Sequence, residues 1–159
     1  MGKIVYLTLG ILISAGILFF VFANSKTSGF TALKDFEGEV TFYRSLSCGC
    51  CSLHEGYLRN KGGLKVNAVQ MPDISSIKKN LGVPQELESC HTAVIGGYFV
   101  EGHIPLEAIN KLIKEKPDIK GIAMPGMPSG SPGMPGAKSG DFVIYSINKN
   151  GSYTEFMRL

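Results

Sequence analysis

The sequence lacks the patterns that identify several large classes of protein. It has no run of basic residues and no alternation of basic with aromatic residues, and its net charge is only +3, which argues against a nucleic-acid partner. It contains neither a GxGxxG fingerprint nor a P-loop, so neither common nucleotide-binding motif is present. It also has no internal repeat. Its 159 residues are enough for one domain.

Cysteine is scarce, with four residues in the chain, and its placement is uneven. A domain of this size buries roughly two-thirds of the surface that its unfolded chain exposes, so it does not need disulfides to fold. We therefore interpret the cysteines as chemical groups rather than as structural cross-links. Three of them, Cys48, Cys50 and Cys51, lie within four positions, and Cys90 is the fourth.

Charge is absent from residues 4–23, which follow Lys3 near the N-terminus. A run of about 20 apolar residues can span a bilayer as a helix. A cleaved signal peptide is the alternative, because Val21-Phe22-Ala23 offers acceptable cleavage positions. The polar stretch that follows argues against a buried core helix. We predict a membrane anchor or signal segment over 1–24, a linker over 25–38 and a folded domain over 39–159 that lies outside the cytoplasm, either anchored or soluble.

Alternation and helical spacing of apolar residues predict the order β-α-β-α-β-β-α, followed by a loop and a last hairpin. The predicted strands are 39–45 and 65–71, the predicted helices are 51–61, 74–82 and 105–116, and a hairpin over 92–102 turns at Gly96-Gly97. The predicted loop covers 117–140, and the last hairpin has strands at 141–147 and 152–157. This order is typical of an α/β, thioredoxin-like sheet with flanking helices, here with an added C-terminal hairpin and preceded by a transmembrane helix.

In a thioredoxin-like fold, a cysteine motif after the first strand lies at the N-terminus of the first helix. The helix dipole and the free backbone N–H groups stabilise thiolates at that position. The loop before the third strand folds over the same site, and in this chain that loop carries Cys90. We therefore expect all four sulfurs to converge on one site.

Four thiolates at one site favour a soft metal ion. A thiolate can bridge two Cu(I) ions, and the adjacent residues Cys50 and Cys51 suit a bridged cluster better than one tetrahedral ion. Zinc is the main alternative, although its usual pattern of two separated CxxC pairs is absent. A further alternative is a Cys48–Cys51 disulfide with Cys90 packed in the core.

The histidines allow two interpretations each. His91 adjoins Cys90 and is a candidate ligand, or it is a partly exposed loop residue. His103 precedes a predicted helix and, taken alone, favours a structural role. His54 follows Cys51 by three residues and Cys50 by four, so it shares their helical face. It either caps the site or is solvated.

The predicted loop contains Met124, Met127 and Met134 among prolines and glycines. Thioether sulfur is a soft ligand for Cu(I) and suits compartments in which thiols are easily oxidised. The alternative is a flexible linker whose methionines pack on the domain. The grouping of the methionines favours copper but does not decide between the two.

Three motifs carry a family resemblance: SCGCC at 47–51, LGVPQELESCHTAVIGGYFVEGHIP at 81–105 and GIAMPGMPSGSPGM at 121–134. The sequence resembles the small thioredoxin-like family of CopG-type copper-resistance proteins, formerly a domain of unknown function. The resemblance covers residues 39–157 and implies a periplasmic or membrane-anchored protein that binds copper ions. The implied ligands are Cys48, Cys50, Cys51 and Cys90 in a cluster, with His91, His103, Met127 and Met134 in matching motifs. This family often has tryptophan at the position of His54.

We interpret the chain as an extracytoplasmic protein for copper handling or resistance, with Cu(I) bound in a multi-cysteine cluster. Because CxxC chemistry is redox-capable, this cluster is also a candidate for changing the oxidation state of copper. The alternative is an enzyme, a thiol–disulfide oxidoreductase with Cys48 as nucleophile and Cys51 as resolving thiol. Mispairing with Cys50 and the absence of proline at 89–92 count against the enzyme. A chaperone that passes copper to other copper-handling proteins is a third function that needs the same ligands.

We expect the full-length protein to stay in the membrane fraction through carbonate washing, because residues 4–23 can span a bilayer as a helix. Immunoblots of the pellet and the supernatant measure this. Soluble periplasmic protein with Asn24 as its first residue would show that the segment is cleaved.

Overall fold

The structure is a computed structural model that describes residues 29–159 of the chain. The predicted membrane anchor or signal segment, residues 1–24, lies outside the described residues. Within the described part, no helix has both the length and the apolar character needed to cross a bilayer.

The described residues form a mixed α/β domain with one seven-stranded sheet and flanking helices. The strands are β1 (Glu39–Ser45), β2 (Lys65–Met71), β3 (His91–Ile95), β4 (Tyr98–Glu101), β5 (Ile119–Ala123), β6 (Val143–Asn148) and β7 (Tyr153–Arg158). The helices are α1 (Thr31–Lys34), α2 (Gly49–Asn60), α3 (Ser75–Leu81) and α4 (Leu106–Glu115), with a short 3-10 helix at Gln85–Leu87. From β1 to α4, the predicted order of strands and α-helices is confirmed.

The sheet has the order β2-β1-β3-β4-β5-β6-β7. Strand β1 pairs in parallel with β2 and antiparallel with β3, and β3 turns directly into β4 through Gly96 and Gly97, both of which have positive φ. The β1–β3 register pairs Arg44 with His91. Because the strands are antiparallel, the end of β1 therefore lies beside the start of β3.

The prediction of a continuous loop over 117–140 is wrong at its start, where the chain forms β5. This strand pairs in parallel with β4 and antiparallel with β6, and so joins the last hairpin to the main sheet. Ile122 is fully buried, and Gly121 lies so close to Phe99 that a side chain would not fit. The five-residue strand escaped prediction because a segment rich in Met, Pro and Gly follows it at once.

The two faces of the sheet are covered by different elements. Helices α1, α2 and α4 contribute to the main core, which contains the buried residues Leu33, Phe42, Leu58, Ile104, Leu106, Ile109, Leu112, Ile122 and Ile144. The 3-10 helix covers a second, smaller core on the other face, which contains Val83, Leu87, Phe99, Ala123 and Ile147. The site described below lies at the edge of the main core.

Helix α1 lies within the segment predicted as a linker. Its Leu33 is 1% exposed and belongs to the main core. The backbone N–H of Ala32 donates to Asn110 Oδ1 of α4 at 3.1 Å. Residues 31–34 therefore pack against the domain, so ordered packing begins before residue 39.

A buried ion pair lies on the second face of the sheet, between Lys78 of α3 and Glu101 of β4. The Lys78 ammonium also donates to Thr92 Oγ1 at 3.1 Å. Glu101 accepts hydrogen bonds from Thr92 Oγ1 at 2.5 Å and from the backbone N–H of Ser89 at 2.6 Å. Burial raises the pKa of the Glu101 carboxyl, and the charge of Lys78 opposes that rise. The pair thus anchors the residue that precedes Cys90.

We expect Lys78→Met to lower the free energy of unfolding by about 3–5 kcal/mol, because it leaves Glu101 as an unpaired buried carboxylate. Urea denaturation followed by circular dichroism measures the loss. The control is Lys78→Met combined with Glu101→Gln, which removes the charge and keeps an oxygen for the Ser89 N–H. The double variant should be clearly more stable than Lys78→Met alone. Equal stability of the single variant and the wild type would contradict the expectation.

Candidate metal centre

Three cysteines lie at the N-terminus of α2, directly after β1. The helix begins at Gly49, two residues earlier than predicted, and Cys48 is the extended residue that precedes its first turn. Cys50 and Cys51 therefore lie in that first turn. Cys48 and Cys51 are joined by a disulfide, with their Cα atoms 5.4 Å apart, whereas Cys50 is a free thiol.

The fourth cysteine meets the other three across the sheet. Cys90 lies just before β3, and the four sulfur atoms all lie within 4.8 Å of one another. Cys48 Sγ is 3.5 Å from Cys50 Sγ, and Cys51 Sγ is 3.7 Å from the Cys90 carbonyl oxygen. The structure thus brings together the four sulfurs that the sequence predicted to converge.

The disulfide and a four-thiolate metal site are two states of the same cysteines. In the disulfide state, Cys48 and Cys51 have no thiolate to offer, and only Cys50 and Cys90 remain free. The addition of two electrons and two protons to the disulfide yields four thiols in one place. The arrangement therefore supports either disulfide chemistry or soft-metal binding, according to its redox state.

A group of three buried histidines adjoins the sulfurs. His54, His91 and His103 are each no more than 1% exposed, and their ligand nitrogens lie within 4.8 Å of one another. The interpretations of His91 as a partly exposed loop residue and of His54 as a solvated one are therefore wrong. His54 was absent from the predicted ligands, although its spacing from Cys50 and Cys51 was the signal that placed it on their face.

Cys90 connects the sulfur group to the histidines. Its Sγ lies 3.0 Å from His103 Nε2 and 3.3 Å from His91 Nδ1. The remaining nitrogens have other partners: His91 Nε2 lies 2.7 Å from His54 Nδ1, His54 Nε2 lies 3.1 Å from Ile104 O, and His103 Nδ1 lies 2.7 Å from Pro132 O. The Phe42 ring stacks on His91 with centroids 4.5 Å apart, which holds the imidazole in place.

Burial favours the neutral forms of the three histidines and of the Cys90 thiol. Burial, together with the nearby His103, lowers the pKa of His54 to about 3. Burial also lowers the pKa values of His91 and His103. Burial, together with neighbouring Cys50, raises the pKa of the Cys90 thiol to about 12. A neutral imidazole keeps a lone pair, which is the form that binds metal ions.

The segment rich in Met, Pro and Gly packs on the site. Besides the contact between Pro132 and His103, Gly133 has φ +84° and lies against α2, where a Cβ atom would come within 2.7 Å of the His54 backbone nitrogen. Met124 is 1% exposed in the main core, so for this methionine the packing interpretation holds. Met127 is 52% exposed and Met134 is half-buried. Their role as ligands stays a prediction.

Comparison with known proteins links this site to a family. Residues 87–134 match the model of a family described as "Protein of unknown function, DUF411". Two solved structures, named Copper resistance protein copG in forms 1 and 2, are each 38% identical to the chain, with a TM-score of 0.70. The matches cover 76% of this chain and 96% and 97% of those chains. No curated protein matches the chain.

The histidine pKa values predict that acid destabilises the metal-free protein. His54 has a pKa near 6.5 in the unfolded chain and about 3 in the folded one, so stability is complete above pH 6.5 and is lost as the pH falls toward 3. His54 contributes about 1.4 kcal/mol per pH unit in this window. Urea denaturation at pH 7 and pH 5, with chelator present, measures the loss.

The variant His54→Asn is the control for this pH dependence, because asparagine does not titrate. Its free energy of unfolding should fall less between pH 7 and pH 5 than that of the wild type. A wild-type stability that is the same at both pH values would contradict the prediction.

Proposed function

The chain belongs to the CopG-type copper-resistance family, and from this membership and the four converging sulfurs we propose that it handles copper by binding Cu(I). The proposed ligands of the cluster are Cys48, Cys50, Cys51 and Cys90. The observation that carries the proposal is the approach of all four sulfur atoms to within 4.8 Å of one another.

The chemistry of the ligands supports copper over a single zinc ion. Thiolates are soft ligands that suit Cu(I), and each can bridge two ions. Cys50 and Cys51 are adjacent in one helical turn, so their side chains leave the helix in different directions. Such a pair serves a cluster of several ions better than one tetrahedral centre. Zinc with four thiolates remains the competing ion to be tested.

The histidines extend the ligand set beyond the sulfurs. His103 Nε2 and His91 Nδ1 both face Cys90 Sγ, at 3.0 and 3.3 Å. Imidazole nitrogen is a good ligand for copper. We include Met127 and Met134 in the proposal as thioether ligands, because the segment that carries them packs over α2 through Gly133.

Copper binding requires the reduced protein. A dithiol reductant supplies two electrons and two protons to the Cys48–Cys51 disulfide and is itself oxidised to a disulfide. The resulting four thiols lose their protons when they bind the metal. A site that holds both thiolates and copper can take part in oxidation and reduction of copper, and this redox role is part of the proposal.

The fold and location complete the proposal. The order β2-β1-β3-β4, with α2 after β1 and α4 after β4, supports a thioredoxin-like core. We place the domain on the periplasmic side of the inner membrane, held there by the apolar residues 4–23 or released by their cleavage. Other copper-handling proteins are the proposed source or acceptor of the metal.

A thiol–disulfide oxidoreductase is the second candidate, because the structure contains the Cys48–Cys51 disulfide at a helix N-terminus. Helix dipoles at that position favour the reactive thiolate. Against this function, Cys50 Sγ lies 3.5 Å from Cys48 Sγ and would compete with Cys51 for it.

We expect the reduced full chain, prepared without oxygen, to retain more than one Cu(I) per chain against a chelator of moderate affinity. Cys50→Ser and Cys90→Ser should each lower the retained copper about as strongly as Cys48→Ser, because a cluster uses all four sulfurs. Metal analysis after gel filtration gives the stoichiometry, and circular dichroism checks the fold.

The matched control is Ser52→Ala, an exposed residue in the same helix, which should leave copper binding unchanged. Two results would contradict the proposal. Retention of one Zn(II) in preference to Cu(I) would identify a zinc protein. Wild-type copper binding by Cys50→Ser and Cys90→Ser, with loss of disulfide reductase activity in Cys48→Ser alone, would identify an oxidoreductase.

A further inference from the structure

We propose that His54 is a positioning residue that sets which nitrogen of His91 carries the proton, and so directs the lone pair of His91 Nδ1 at Cys90. This inference rests on the proposed function, because it concerns the same ligands. It assigns a role to a histidine at a position where the family that the sequence resembles often has tryptophan.

The direction of the hydrogen bonds starts at a backbone carbonyl. His54 Nε2 lies 3.1 Å from Ile104 O, and a carbonyl oxygen only accepts hydrogen bonds. The proton of His54 is therefore on Nε2. A neutral imidazole has one proton, so Nδ1 of His54 carries a lone pair and accepts a hydrogen bond.

The next step follows from the distance of 2.7 Å between His54 Nδ1 and His91 Nε2. Because His54 Nδ1 accepts, His91 Nε2 donates and carries the proton of the second imidazole. The other nitrogen of His91, Nδ1, then has a free lone pair. It lies 3.3 Å from Cys90 Sγ.

The third histidine is oriented in the same way by a different carbonyl. His103 Nδ1 lies 2.7 Å from Pro132 O and donates to it, so the lone pair of His103 is on Nε2, 3.0 Å from Cys90 Sγ. Two lone pairs thus face one sulfur whose thiol has one proton. Two lone pairs directed at one sulfur are the arrangement expected of ligands that await a metal ion.

The surroundings of His54 suit a positioning role. The ring is 1% exposed and stacks on Tyr57, with centroids 5.7 Å apart and planes inclined by 19°. Gly133 packs against the His54 backbone, so the start of the side chain is held by its surroundings as well. Residues that donate to or accept from metal-binding histidines orient the ring, and their replacement lowers metal affinity by about 10–100-fold.

Nuclear magnetic resonance of the reduced, metal-free full chain tests the inference without copper. Long-range ¹H–¹⁵N correlations distinguish the two neutral forms of His91. We expect the proton on Nε2 in the wild type and in His54→Asn, whose side-chain oxygen can accept from His91. In His54→Phe, which keeps a ring but has no acceptor, we expect loss of this preference. A wild-type His91 with its proton on Nδ1 would overturn the inference directly, whether or not the variants fold.

Copper affinity is the second readout. His54→Phe should bind Cu(I) about 10–100-fold more weakly than the wild type at unchanged stoichiometry, and His54→Asn should recover most of the loss. Wild-type affinity in His54→Phe would overturn the inference. If the wild type itself bound no Cu(I), the proposed function would fail, whereas the protonation of His91 would still be decided by the resonance spectra.

Discussion

The antiparallel register between β1 and β3 is the constraint on which the site depends. It pairs Arg44 with His91, so the C-terminal end of β1 and the N-terminal end of β3 lie side by side at the same end of the sheet. The cysteine motif follows β1 at once, and Cys90 immediately precedes β3. Cysteine sulfurs that are about 40 positions apart in the sequence are therefore brought together by the strand pairing itself. A shift of the register by one residue would turn His91 away from the main core.

Strand β3 carries polar groups on both faces, and the two sets support each other. His91 faces the sulfurs and the other histidines, whereas Thr92 faces the ion pair of Lys78 and Glu101. Glu101 also holds the Ser89 N–H, next to Cys90, and it is followed by Gly102 and His103. Burial of an ion pair costs free energy. The Lys78–Glu101 pair offsets this cost by holding the two segments that carry Cys90 and His103 in place. The Lys78 charge also helps to lower the pKa of His91.

Features that depend on neighbouring residues in the sequence could be predicted. Features that depend on residues far away in the sequence could not. Alternation identified β1 and β2, and paired glycines identified the β3–β4 turn. Strand β5 was missed because the segment rich in Met, Pro and Gly that follows it at once made residues 117–140 resemble one loop. The role of His54 depends on His91, 37 positions away, and on the backbone carbonyl of Ile104. The residues around His54 in the sequence do not indicate either contact. The packing of Gly133 on α2 is equally invisible in a segment whose composition is typical of a linker.

The disulfide between Cys48 and Cys51 has a thermodynamic consequence for copper handling. An ion that binds only the dithiol form stabilises that form, so free copper raises the reduction potential at which the disulfide opens. Linkage is reciprocal, and an oxidising compartment therefore weakens the apparent affinity for copper. The fraction of chains with bound copper then depends on two quantities, the concentration of free copper and the availability of reductant. A chain that binds copper as proposed would take up the metal only where both are available.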